Sequence, residues 1–258
     1  MIERPLWKHS WISAGPARFL FILLALGAVF AAAPSSRSSD EPWKGKSYQQ
    51  WDENDLKRIF TESPWVRQTT ITRNWLPITP KEDVQGAPIS GRDRPMPSDV
   101  DHSSETSVGG ALNFYVFWAS SHVMRAASAR KAILHGGNSS VDVDKYANAP
   151  QSEYQLAIQS ADMTPFRRQD EKYFQENSYL QMKKTKLKIS PSHVVYERSD
   201  SAGPVIMAVF FFPKTASSGV PTITPDEKSV EFSCKIGGSY LRVSFDPQKM
   251  TDRSGPDL

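Results

Sequence analysis

Lys228-Ser-Val-Glu-Phe-Ser-Cys-Lys-Ile236, followed by Gly237-Gly238 and then Tyr240-Leu-Arg-Val-Ser-Phe245, is the stretch that decides the fold class. Apolar side chains alternate at Val230, Phe232, Cys234 and Ile236, and again at Leu241, Val243 and Phe245. That is the period of a strand with one face buried. A Gly-Gly pair between two such runs marks a hairpin, because glycine reaches the positive φ that a two-residue turn demands. Packed on one side, these side chains would each contribute about 1.5–3 kcal/mol, as an upper bound.

Working outward, residues 179–189 place Leu180, Met182, Leu187 and Ile189 between lysines, the pattern of a half-buried strand ended by Pro191. Residues 193–198 form a second short strand, and residues 199–203 supply turn chemistry. Residues 204–212 are continuously apolar up to Pro213, which suits a strand buried on both faces in the middle of a sheet. Residues 178–245 therefore read as one antiparallel meander. Further upstream, residues 66–76, 112–118 and 154–160 are strand-like.

Helices are marked by their caps. Asp52 or Asn54 starts a short amphipathic helix with Leu56, Ile59 and Phe60 on one face, ending before Ser63-Pro64. Ser120 or Ser121 starts an alanine-rich helix that runs to Leu134 and stops at Gly136-Gly137. Thr164-Pro165 starts another that carries Phe166, Tyr173 and Phe174 as far as Glu176. The expected architecture is α+β: a mostly antiparallel sheet of about six to eight strands with two main helices packed on one face.

Residues 1–33 hold Arg4, Lys8 and Arg18, then the apolar run 19–30, then Ala31-Ala-Ala33. Basic segment, short apolar run and small-residue site together make a signal peptide, with cleavage near Ala33 and a periplasmic or extracellular destination. A retained anchor is the alternative; the apolar run of about 15 residues is short for the roughly 20 that span a bilayer. Loss of residues 1–33 changes 31 basic and 28 acidic residues to 28 and 27. So near-neutral a chain gives no electrostatic reason to expect nucleic acid or an anionic membrane as partner. The single cysteine, Cys234, excludes an intramolecular disulfide.

Residues 34–42 are Ser-rich and read as a flexible spacer, and residues 43–76 as an N-terminal helix and strand segment. Residues 77–110 are rich in Pro, Gly, Ser and Asp and read as a long loop or disordered insert. The α+β core is expected over 111–246, with 247–258 as a frayed tail.

Trp43-Lys-x-x-x-Tyr-x-x-Trp51 with Thr61-Glu-Ser-Pro-Trp65 resembles the start of a family of uncharacterised exported bacterial proteins. Phe114-Tyr-Val-Phe-Trp-Ala-Ser120, Phe210-Phe-Phe-Pro213 and the segment from Val230-Glu-Phe232 to Met250 echo later parts of it. The resemblance implies export and a single fold, and carries no activity, cofactor or catalytic residue.

Several patterns invite a chemical reading. Trp43, Trp51 and Trp65 could form an exposed stacking surface for sugar rings; tryptophans beside a short amphipathic helix more often fix it against a sheet. Asp99, Asp101, His102 and Glu105 offer oxygen and nitrogen ligands, and Asp142 with Asp144 an Asp-x-Asp pair in a polar surface turn, but neither has the spacing of a zinc or EF-hand site. Ser128-Ala-Arg-Lys131 has Ser-x-x-Lys spacing without the partner motifs of penicillin-recognising enzymes. Gly-x-Ser-x-Gly, His-Glu-x-x-His, Gly-x-Gly-x-x-Gly and Cys-x-x-Cys are missing, so hydrolase, metalloprotease, dinucleotide and redox routes lack a signature and no cofactor or metal is expected. The reading is a non-catalytic binding or structural module of the cell envelope, with an envelope protein or glycan as partner and a membrane role only if the leader is retained. The alternative is an envelope hydrolase built from dispersed groups such as His122 and His193.

Overall fold

The computed structural model describes residues 41–72, 110–136, 142–200, 203–216 and 219–258. The expected leader over 1–33, most of the spacer and insert, and Asp99, Asp101, His102 and Glu105 lie outside the described residues. Among the described residues no helix is long and apolar enough to cross a membrane.

The fold is α+β with antiparallel strands. The chain enters through α1 (Pro42–Gly45), which takes in the end of the expected spacer, and a 3-10 turn at Tyr48–Gln50. Helix α2 (Glu53–Glu62) begins with a reciprocal box: Asp52 accepts from the Asp55 N–H at 2.9 Å and Asp55 accepts from the Asp52 N–H at 3.2 Å. Leu56, Ile59 and Phe60 are its buried face. Strands β1 (Val66–Thr72), β2 (Ala111–Trp118) and β3 (Glu153–Ser160) follow, with α3 (His122–Leu134) and α4 (Val143–Asn148) between the last two. The Asp-x-Asp segment expected in a surface turn is thus the start of a helix, because Asp142 accepts the Lys145 N–H at 3.0 Å and caps it.

The helix expected over 165–176 is two helices, α5 (Thr164–Arg168) and α6 (Glu171–Glu176), with Met163 rather than Thr164 at the cap of the first. Asp170 breaks the run by accepting the Tyr173 N–H at 2.8 Å, and the break stacks Phe166 on Phe174 with centroids 4.6 Å apart. Strands β4 (Ser178–Met182), β5 (Lys188–Ile189), β6 (His193–Arg198), β7 (Val205–Pro213), β8 (Val230–Ile236) and β9 (Ser239–Phe245) come next.

These do not form one meander. Strands β6 and β7 join the first three in a five-stranded sheet, β1-β2-β3-β7-β6, and the others make a four-stranded sheet, β5-β4-β8-β9. The continuously apolar β7 is an interior strand, as its sequence requires. Residues 179–189 are a hairpin rather than a strand: the chain turns through Lys186 at φ 60 and pairs Leu180 with Ile189. The decisive hairpin is present in the expected register, Ile236 opposite Ser239, with Gly237 at φ 58. The sheets meet through Phe210 and Phe212 against Phe232 (5.3 and 6.1 Å) and Trp118 against Phe245 (5.2 Å).

The segment expected to fray is ordered. Strands β10 (Thr251–Asp252) and β11 (Gly255–Pro256) pair, and Asp257 is buried. Its carboxylate accepts the N–H groups of His122 (2.6 Å) and Val123 (3.0 Å) at the start of α3. Ser121 accepts the next, from Met124, at 3.1 Å. The N–H groups that a helix start leaves without intrahelical partners are thereby satisfied from two directions.

Candidate functional site

Trp43, Trp51 and Trp65 do not form an exposed surface. They are 4 %, 2 % and 0 % accessible. Trp65 stands edge-on to Trp43 at 5.9 Å, and its Nε1 donates to the Asp257 carbonyl at 2.7 Å; Trp51 donates to the Pro42 carbonyl at 3.1 Å. They pin the N-terminal segment to the core and to the C-terminal hairpin, so the stacking surface is ruled out by burial.

Trp43 and Trp51 instead wall a partly open cleft of about 380 Å³ between the 43–51 segment and the β10–β11 hairpin. Its polar lining comes from Lys46, Ser47, Tyr48, Gln49, His122, Asp252, Arg253 and Ser254. Most of these groups are fixed by a second residue. His122 Nδ1 lies 2.9 Å from Asp252 Oδ2, and the other Asp252 oxygen accepts the Ser254 N–H at 2.6 Å. An ionised carboxylate only accepts, so this contact puts the ring hydrogen on Nδ1 and leaves Nε2 as the acceptor nitrogen of a cleft-lining residue. Lys46 pairs with Asp55 at 2.7 Å. The Tyr48 hydroxyl donates to Asp144, and burial together with that bond pushes its phenol up to about 12. Arg253, on the turn of the hairpin, is exposed and makes no ion pair among the described residues.

The other expected chemical groups have structural duties. Ser128 donates to the Met124 carbonyl at 2.8 Å, while the Lys131 ammonium lies 5.6 Å from the Phe60 ring centre and burial lowers its pKa, so the Ser-x-x-Lys pair is not engaged. Asp142 caps α4 and Asp144 holds Tyr48. His135 faces Glu53 at 3.5 Å, between the end of α3 and the start of α2. His193 stacks on Phe211 at 4.1 Å, beside Ser192, and does not line the cleft. Of the residues weighed for catalysis from sequence, only His122 is in the cleft. Asp252, Arg253 and Asp257 were missed, because a short run of Asp, Arg, Ser, Gly and Pro has no periodicity; the one signal was Asp-Arg-Ser-Gly itself, a turn composition between possible short strands. Comparison with protein-family models, curated proteins and solved structures finds no match for this chain.

Proposed function

We propose that this chain is an exported, non-catalytic binding or structural module of the bacterial cell envelope, and that it takes an anionic group of an envelope glycan or protein in the cleft beside His122 and Arg253. The observation that carries the reading is how that cleft is held. Asp252 fixes His122, Asp55 holds Lys46 and Asp144 holds Tyr48, so among the cleft's groups the Arg253 guanidinium is the cation left to meet a ligand's anionic group, and His122 Nε2 is an acceptor for a ligand hydroxyl or N–H. Side chains held by their neighbours lose little freedom on binding, which favours recognition. The basic, apolar and small-residue succession of residues 1–33 supports export.

Intact mass of the protein from the soluble envelope fraction tests export: a start near Pro34 is expected, and a full-length mass in the membrane fraction would replace the soluble module with a tethered one. Titration calorimetry with muropeptides, which carry sugar and carboxylate groups together, tests the cleft. Wild type should bind, and Arg253→Gln, which removes the bond to the carboxylate, and His122→Ala, which removes the acceptor for a sugar hydroxyl, should each weaken binding at least about fivefold, the loss of roughly one hydrogen bond. Equal binding by all three proteins would remove the cleft from the account.

A second reading, hydrolysis with His122 as general base, is favoured by the 2.9 Å contact to Asp252, which orients the ring as a base is oriented. Turnover of a bound muropeptide that falls about 100-fold or more in Asp252→Asn, with binding kept, would establish it.

A further inference from the structure

The near-neutral total charge conceals a local concentration. Residues 183–188, Lys-Lys-Thr-Lys-Leu-Lys, form the turn after β4 and the first residue of β5, and all six are exposed. Lys228 is exposed beside them, since the Lys183 N–H donates to the neighbouring Ser229 carbonyl at 3.0 Å. The acidic groups on the same segments are largely committed. Asp226 pairs with Lys184, which with Thr224 holds its carboxyl down at about 2. Glu227 is 1 % accessible and accepts the Lys184 N–H with both oxygens, at 3.0 and 3.2 Å. Glu231 lies further along on β8.

The hairpin is also rigidly presented. The Met182 N–H donates to the Leu187 carbonyl at 3.0 Å, and the Lys188 ammonium sits 4.4 Å from the centre of the Tyr179 ring. Amid the lysines Leu187 is 39 % accessible, a large apolar side chain that the fold leaves outside its core. Lysines around a projecting apolar residue are the combination that suits a bilayer surface: cations meet anionic headgroups and the apolar side chain enters the headgroup layer. An anionic glycan would use the lysines but has no use for Leu187.

We propose that the β4–β5 hairpin is a docking surface for anionic phospholipid headgroups, independent of the His122 cleft. Each basic residue close to such a surface strengthens partitioning about fivefold. Lys183, Lys186 and Lys228 make no ion pair among the described residues, so they can be changed with little effect on the fold. The test is co-sedimentation of the full chain with vesicles of phosphatidylcholine, with and without phosphatidylglycerol. Wild type should sediment with the anionic vesicles and be released by added salt. The Lys183→Gln, Lys186→Gln, Lys228→Gln variant should bind them about 100-fold more weakly, with an unchanged melting temperature. Leu187→Ser should weaken binding further at the same salt. Equal sedimentation with neutral vesicles, undiminished binding by the triple variant, or retention on an anionic polysaccharide column without vesicle binding would each overturn the proposal. Because the leader is the same in every variant, a difference between them belongs to the hairpin.

Discussion

Replacing Asp257 with alanine should destabilise the protein more than removing the other side-chain cap of α3, Ser121. The carboxylate accepts the first two N–H groups of α3, at 2.6 and 3.0 Å, in a buried position. Leaving a buried donor without its acceptor costs about 1–3 kcal/mol, and here there are two donors. Removing a desolvated carboxylate offsets part of this, since burial raises the Asp257 carboxyl above its ordinary value even though both N–H bonds pull it down. The net loss should be about 2–4 kcal/mol, a fall in Tm of about 10 °C for a domain of this size. Ser121→Ala, which deletes only the bond to the Met124 N–H, should cost about 1 kcal/mol.

The same residue has a pH signature. A carboxyl whose folded pKa is raised binds its proton more tightly in the folded state. Its contribution is fully present below the unfolded value and declines as pH rises through the folded one. Wild type should therefore lose some stability as pH climbs from the ordinary aspartate range through the raised value, and Asp257→Ala should lack that component. Thermal unfolding followed by circular dichroism over this range measures both effects. A Tm for Asp257→Ala within about 2 °C of wild type, or a smaller loss than Ser121→Ala, would refute the reasoning.

Phe232→Ala should cost about 3–5 kcal/mol in denaturant unfolding, because that ring joins the sheets through Phe210 and Phe212. The Cys234 thiol, fully buried and pushed up to about 12, should react with a thiol reagent only at the rate of global unfolding; rapid labelling of native protein would contradict its position. Gly237→Ala should cost about 1 kcal/mol or more, because the turn holds that residue at φ 58, and an unchanged denaturation midpoint would show that the turn relaxes.

Local signals in the sequence were sufficient for elements whose chemistry is local. The Gly237-Gly238 hairpin, the Asp52 and Ser121 caps and the all-apolar β7 were legible because turn, cap and burial each leave a mark within a few residues. The partition of strands 178–245 between two sheets was not, since pairing of β4 with β8 across some 50 residues has no local trace. The β4–β5 turn was hidden for another reason. Its lysines alternate with apolar residues as a strand would, and Lys186 takes a left-handed conformation with no glycine or asparagine to announce it. The caps Asp142 and Asp170 were missed, because the helices they start are only six residues long, too short for periodicity to register. The cleft was half legible: His122 could be named, but the carboxylate that orients it comes from 130 residues downstream, and only folding brings the two together.

The capping of α3 by Asp257 also fixes an order of events in time. His122 and its acceptor are separated by 135 residues. As a chain leaves the ribosome or a translocation pore N-terminus first, α3 is complete in sequence long before its first turn can be closed. Until Asp257 arrives, those N–H groups face water, Trp65 lacks its carbonyl partner, and the cleft has only one of its two walls. The cleft is therefore assembled only after the β10–β11 hairpin has followed every other described element out.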